Sequence, residues 1–158
     1  MAKKVGILTS GSDCPGLNAA IRGFGKAARN THGMALVGFR DGFRGLINNH
    51  TIDLGGDALS NILTAGGTIL GASRDMPHKI EEDGKVIDKT DSAVDVYKDH
   101  RLDALVCIGG QESQEAALHL QEAGLNMITL PKSADNDVAR TDVTIGFDTA
   151  QLIAAEAI

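Results

Sequence analysis

Residues 3–18 (KKVGILTSGSDCPGLN) limit what this chain can fold into more than any other stretch. Val5, Ile7 and Leu8 form a short apolar run, the mark of a strand buried on both faces. The run opens into Thr9-Ser10-Gly11-Ser12-Asp13, a loop of small and polar side chains. Pro15 is then placed to start a helix through Asn18, Ala19, Ala20 and Ile21. A strand, a small-residue loop and a helix start, in that order, aim free backbone N–H groups at one point. The helix dipole adds partial positive charge there, so the point suits a phosphate. An ordinary tight turn would use the same residues, so the stretch alone leaves both readings open.

The pattern recurs. Residues 102–108 (LDALVCI) carry the strongest buried-strand signal, run into Gly109-Gly110-Gln111-Glu112-Ser113, and continue as a helix to about 123. Residues 126–130 read as the next strand, ending in Pro131-Lys132-Ser133-Ala134-Asp135-Asn136-Asp137. Between these units the first helix spans 15–30 and a strand 34–39. Residues 40–45 form a loop that is either solvated or functional, and 51–54 a short edge strand. A short helix covers 57–64, a polar loop or hairpin 75–89, and a helix 90–101. Residues 141–147 suit a short strand or turn, and an apolar helix from about 149 to Ile158 is expected to lead into further chain.

Strands alternating with helices predict an α/β domain, a Rossmann-like, mostly parallel sheet with helices on both faces. The ligand crevice of such a sheet lies beyond the carboxyl ends of its strands. Loops 11–15, 109–113 and 131–137 should meet there.

Bulk properties narrow the function. A length of 158 residues fits one domain, and 42% hydrophobic residues suffice for a core. Nineteen glycines against three prolines fit many strand–helix turns with unbroken helices. The formal charge of −6, with no basic block, argues against nucleic acid as a partner. No apolar run approaches the roughly 20 residues of a membrane span, and MAKKVGILTS passes straight into a strand rather than a signal peptide. Cys14 and Cys107 lack metal-like spacing and are expected to be reduced thiols of a cytoplasmic protein.

Together the loops bring backbone donors, Lys132, the hydroxyls of Ser12, Ser113 and Ser133, and the carboxylates of Asp135 and Asp137. Phosphoryl transfer needs such a set: donors for the phosphates, positive charge for the transition state, a base for the acceptor's proton, and usually Mg²⁺. Capping of a turn or helix by Asp135 and Asp137 is the competing reading.

The segments ILTSGSDCPGLNAAIRG, GFRDGFRGL, GGTILGASR, LDALVCIGG, PKSADND and TIGFDTA resemble, in order and spacing, the N-terminal, donor-binding part of the phosphofructokinase family. The resemblance implies transfer of a phosphoryl group from pyrophosphate or ATP, with Mg²⁺, to the 1-hydroxyl of fructose 6-phosphate. It makes residues 1–158 a donor-binding domain whose sugar-phosphate-binding part is absent, so this chain alone is expected to be inactive. It places the catalytic base at Asp135, with Lys132 beside it, and sugar contacts at Ser133, Asp135 and Asp137. Gly11, Ser12, Phe43, Arg74, Gly110, Glu112 and Ser113 fall on its donor side. It also implies a homo-oligomer.

Two departures bear on activity. Ser12 stands where the family has a glycine, and Gln111 where an acidic residue helps to hold Mg²⁺; an amide is a weaker ligand for that hard cation. A non-catalytic phosphate-binding module descended from the enzyme is therefore the alternative. Glu112 and Lys132 match the pattern of pyrophosphate-using relatives, where an acid would repel an additional phosphate and a lysine supplies charge that a small inorganic donor lacks.

Overall fold

A computed structural model describes residues 2–158. Strands β1 (Lys4–Thr9), β2 (Ala35–Phe39), β3 (Thr51–Asp53), β6 (Ala104–Gly109), β7 (Met127–Ser133) and β8 (Ile145–Gly146) form one six-stranded sheet in the order β3-β2-β1-β6-β7-β8. All its pairings are parallel except β2 with the edge strand β3. A separate hairpin, β4 (Ile80–Glu82) with β5 (Lys85–Ile87), rises from the polar 75–89 segment. The helices are α1 (Leu17–Lys26), α2 (Phe43–Ile47), α3 (Thr90–Asp99), α4 (Gln111–Glu122) and α5 (Phe147–Ala157).

The pleat sends alternate side chains to opposite faces. Ile7, Val106 and Ile108 point into one core with Leu17 and Ile21 of α1. Leu8, Leu105 and Cys107 point into the other, with Phe43 and Leu46 of α2, Ala93 and Val94 of α3, and Ala116 and Leu120 of α4. In α4 the buried positions Ser113, Ala116, Ala117 and Leu120 recur at intervals of three, one and three, the stripe by which a helix seats on a sheet. Helices thus cover both faces, as the alternation predicts.

Several boundaries differ from expectation. The first helix begins at Leu17, not Pro15, because Gly16 adopts a left-handed φ of 89° and turns the chain first. Beyond Lys26 it widens into a π-helical turn, Ala27–Thr31. The loop expected at 40–45 gives way to α2, since burying Phe43 and Leu46 completely overrides its glycine-rich composition. The helix expected at 57–64 shrinks to a 3₁₀ turn, Gly56–Leu59. Strand β7 runs through Pro131 to Ser133; Pro131 is tolerated because β8 pairs only with Lys132 and Ser133, so the missing N–H breaks no ladder. Helix α5 buries none of its residues, and Leu152 and Ile153 are more than half exposed.

Two histidines tie peripheral segments to this frame. His78 stacks on His119 of α4, with centroids 4.7 Å apart. His100 sits edge-on to Phe39 and contacts Asn49 Oδ1 at 2.6 Å. Burial, helped by His119 and Lys79 and opposed by Asp88 and Glu115, pulls His78 below the ordinary 6.5. Burial and Lys4 do the same to His100. Both folded-state values are depressed, so the unfolded chain takes up these protons first. The stability is fully present above about pH 6.5 and is lost as pH falls through the folded values. Tm should therefore drop between pH 7.5 and 5, and His78→Gln with His100→Gln should flatten the slope. An unchanged slope in that double variant would remove the histidines as the cause.

Candidate functional site

The carboxyl ends of β1, β6 and β7 open onto two adjoining hollows. One, of about 250 Å³, is lined by Gly11, Ser12, Arg74, Gly110, Gln111, Glu112, Ser113 and Lys132. The other, of about 220 Å³, is lined by Ser12, Asp13, Cys14, Gly110, Gln111, Lys132, Ser133, Ala134, Asp135 and Asp137. Ser12, Gly110, Gln111 and Lys132 border both, so the three expected loops do converge.

Lys132 is the post between them. It is 4% exposed, and its ammonium donates to the Ser12 carbonyl and lies 3.5 Å from Ser12 Oγ. Among the described residues it forms no ion pair, so its charge is left to the hollows. Gly11 has φ 85°, and a Cβ there would sit 3.4 Å from Lys132 Nζ, so glycine serves both the turn and the lysine. Ser12 adds a hydroxyl to the wall of both hollows.

The loops are stitched to one another. Ser113 Oγ donates to Ser10 Oγ at 3.0 Å in a fully buried contact, and the Gly11 N–H donates to Ser73 O at 2.9 Å. Neither the Ser113 hydroxyl proton nor the Gly11 N–H is therefore free to donate to a ligand, although both residues line the donor-side hollow. At Gly109 a Cβ would lie 2.3 Å from Ser113 Cβ, which fixes a glycine where β6 meets α4.

The anion-binding end of a helix is present, but it belongs to α4. Its first turn, Gln111 to Ser113, lies on the hollow, and the first return bond is from Gln114 N–H to Gly110 O. The sequence offers two such ends, at the starts of α1 and α4; the Pro15-Gly16 turn carries the start of α1 away, and Leu17 borders neither hollow. Phe43 also departs from its expected donor-side role. It is completely buried against the sheet and forms no part of either wall.

On the second hollow, Ser133 Oγ donates to Asp137 Oδ1 at 2.5 Å and accepts the Asp135 N–H at 3.0 Å. The sequence reading gave Asn136 no position in the site, yet it shapes the turn. At φ 54°, which Asn tolerates better than most residues, its Oδ1 accepts both the N–H and hydroxyl of Thr144, at 3.0 Å each. That clamp leaves the Asp135 side chain exposed and uncommitted. The run Asp-Asn-Asp was the available signal.

Gln111 Nε2 donates to Glu115 Oε1 at 3.3 Å. Among the described residues no three His, Cys, Asp or Glu are grouped to hold a metal ion. The carboxylates on the walls are Asp13, Glu112, Asp135 and Asp137. Mg²⁺ is commonly held by one or two carboxylates with phosphate oxygens and water completing the shell. These walls fit a metal that arrives with a phosphate ligand rather than a resident one.

Both cysteines are free and buried. Burial pushes the Cys107 thiol up to about 12. It also raises Cys14, against the pull of the Lys132 charge. A third hollow, of about 130 Å³, lies between Arg44, Asp75, Glu82 and Lys89. Arg44 is already paired with Asp75 at 2.6 Å and Lys89 with Glu82, which leaves Glu81 as the one wall charge outside these pairs, so the hollow offers little to an anion.

The family model for phosphofructokinase matches residues 4–158. The chain belongs to the phosphofructokinase family. It is 57% identical over 158 residues to an ATP-dependent 6-phosphofructokinase of Propionibacterium freudenreichii subsp. shermanii, covering 100% of this chain and 42% of that one. It is 46% identical over 155 residues to a pyrophosphate–fructose 6-phosphate 1-phosphotransferase of Amycolatopsis methanolica, covering 98% and 44%. The chain thus spans less than half the length of these curated phosphofructokinase relatives. Among solved structures, phosphofructokinase from Saccharomyces cerevisiae superposes with a TM-score of 0.82 at 22% identity, over 99% of this chain and 20% of that one, a likeness of fold. No helix among the described residues is long and apolar enough to cross a membrane.

Proposed function

We propose that residues 1–158 are the donor-binding domain of a 6-phosphofructokinase that moves a phosphoryl group from pyrophosphate or ATP to the 1-hydroxyl of fructose 6-phosphate. The observation that carries this is the buried Lys132, without an ion-pair partner among the described residues, standing between two hollows, one walled by the α4 N-terminus and the other by Asp135. The donor lies on the side of Arg74 and Glu112, with its phosphates against the first turn of α4. The acceptor lies on the side of Ser133, Asp135 and Asp137.

Asp135 takes the proton from the attacking hydroxyl, which raises the nucleophilicity of that oxygen. Lys132 offsets the negative charge between donor and acceptor, in a spot where burial strengthens its field. Asp137, held by Ser133, and the Asn136 clamp keep the turn in place for Asp135. Mg²⁺, bound with the donor, would neutralise phosphate oxygens; Gln111 and the wall carboxylate Asp13 are the residues that would hold it. The sugar-phosphate grip that the resemblance implies is not found among residues 1–158, so this polypeptide alone turns over little. The protein is cytoplasmic and a homo-oligomer.

The two relatives are named for different donors and do not decide between them. Glu112 and Lys132 on the donor wall favour pyrophosphate, since Glu112 repels any further phosphate and Lys132 adds charge. Calorimetry in Mg²⁺ should show pyrophosphate binding more tightly than ATP. Replacing Glu112 and Lys132 together by glycine should reverse the order. An unchanged order in the double variant would show that these residues do not choose the donor. One observation favours a non-catalytic phosphate-binding module instead: the amide of Gln111, tied to Glu115, at the metal position. Donor binding without any turnover in a polypeptide of the relatives' full length would decide for it.

A further inference from the structure

Asn18, the second residue of α1, borders neither hollow, yet it is 2% exposed. Its Nδ2 donates to the carbonyls of Ala65 and Gly66, at 3.1 Å each, and its Oδ1 accepts the Ile69 N–H at 2.8 Å. Both amide N–H groups and the oxygen are used, all on one short segment. That segment, residues 65–73, contains no helix or strand. It includes Gly66, Gly67 and Gly71, the last two at positive φ. Left to itself such a stretch has many conformations.

Further along, the segment is fastened to the first loop. Thr68 and Thr9 share a hydroxyl contact at 2.9 Å, Thr9 Oγ1 donates to Gly71 O at 2.6 Å, and Gly11 N–H donates to Ser73 O at 2.9 Å. Ser73 Oγ in turn donates to Asp41 O at 2.8 Å. Arg74 follows at once and is exposed on the donor-side hollow. The segment is therefore a strap, buckled at one end by Asn18 and at the other by the loop it helps to shape.

We infer that Asn18 is a positioning residue for the donor site, holding the strap so that Arg74 faces the phosphates of the donor. The inference rests on the donor reading proposed above. An amide is suited to the task because it alone supplies two donors and an acceptor from so short a side chain at the start of a helix. Loss of its three bonds frees the strap without touching a group that meets the ligand. The effect on binding passes through Arg74.

The test is a double-variant cycle on the 158-residue chain, with pyrophosphate and Mg²⁺ as the probe in calorimetry below the unfolding transition. Asn18→Ala should weaken binding roughly tenfold, the scale of one or two hydrogen bonds. In an Arg74→Ala background the same change should have almost no effect. An equal loss in both backgrounds would overturn the inference. Amide exchange gives a second readout: protection should fall in residues 68–74 and stay in β1 and β6, whereas a uniform fall would mean a merely structural role. If Asn18→Ala does not fold, Thr68→Ala cuts the same strap at its next attachment and is read in the same two ways. If the unaltered chain binds neither pyrophosphate nor ATP, the donor reading fails, and the exchange pattern still decides whether Asn18 holds the strap.

Discussion

Asp135→Asn, in a polypeptide of the relatives' full length, should lower kcat by roughly 10²–10⁴-fold, the usual contribution of a positioned acid–base group. Donor KM should change little, because the base acts as the acceptor proton leaves and not while the donor binds. The substitution suits the geometry. The Asp135 side chain is exposed and makes no hydrogen bond among the described residues; what holds the turn is its backbone N–H on Ser133 and the clamp of Asn136 on Thr144. Asparagine keeps the shape and removes the capacity to take a proton. Tm should stay where it was. Full kcat in a folded Asp135→Asn enzyme would remove Asp135 from the mechanism.

Lys132→Met should weaken pyrophosphate binding roughly 10- to 100-fold, the range expected for losing charged hydrogen bonds to a phosphate. Tm should not fall. Methionine replaces the buried stem with a chain of similar length, while the ammonium it removes is almost wholly out of water and has no carboxylate partner among the described residues. Taking such a charge out of water costs stability, and the hydrogen bonds it makes, to Ser12 O and at 3.5 Å to Ser12 Oγ, can pass to water because Ser12 is exposed. Weaker binding with an unlowered Tm would mark a residue kept for its ligand at the fold's expense. A large drop in Tm with unchanged affinity would make Lys132 a structural strut instead.

The sheet was readable because its strands announce themselves. Val5 to Leu8 and the run around Leu105 to Ile108 are apolar without a break, and only a strand covered on both faces needs that. The meeting of Gly11, Gly110 and Lys132 followed from the parallel order alone. Phe43 was misplaced because resemblance carries a position but not the direction of its side chain, and burial turned this ring into the core. The start of α1 reads as a second anion-binding end because Pro15 looks like a helix opener; the left-handed Gly16 behind it is a property of backbone angles, which sequence states only weakly. Asn18 and Asn136 passed unassigned because each acts on a segment distant in sequence, 47 residues away for Ala65 and eight for Thr144.

The pairing of β1 with β6 sets Val5 beside Ala104 and Thr9 beside Ile108, so the two innermost walls of the crevice come from opposite ends of a long loop. Closing that loop costs chain entropy before any contact repays it, which slows folding. During synthesis β1 waits for most of the domain to emerge before its second neighbour exists. A phosphate compound that binds in the crevice holds together the middle of the sheet, and its concentration then adjusts how often the whole chain comes apart.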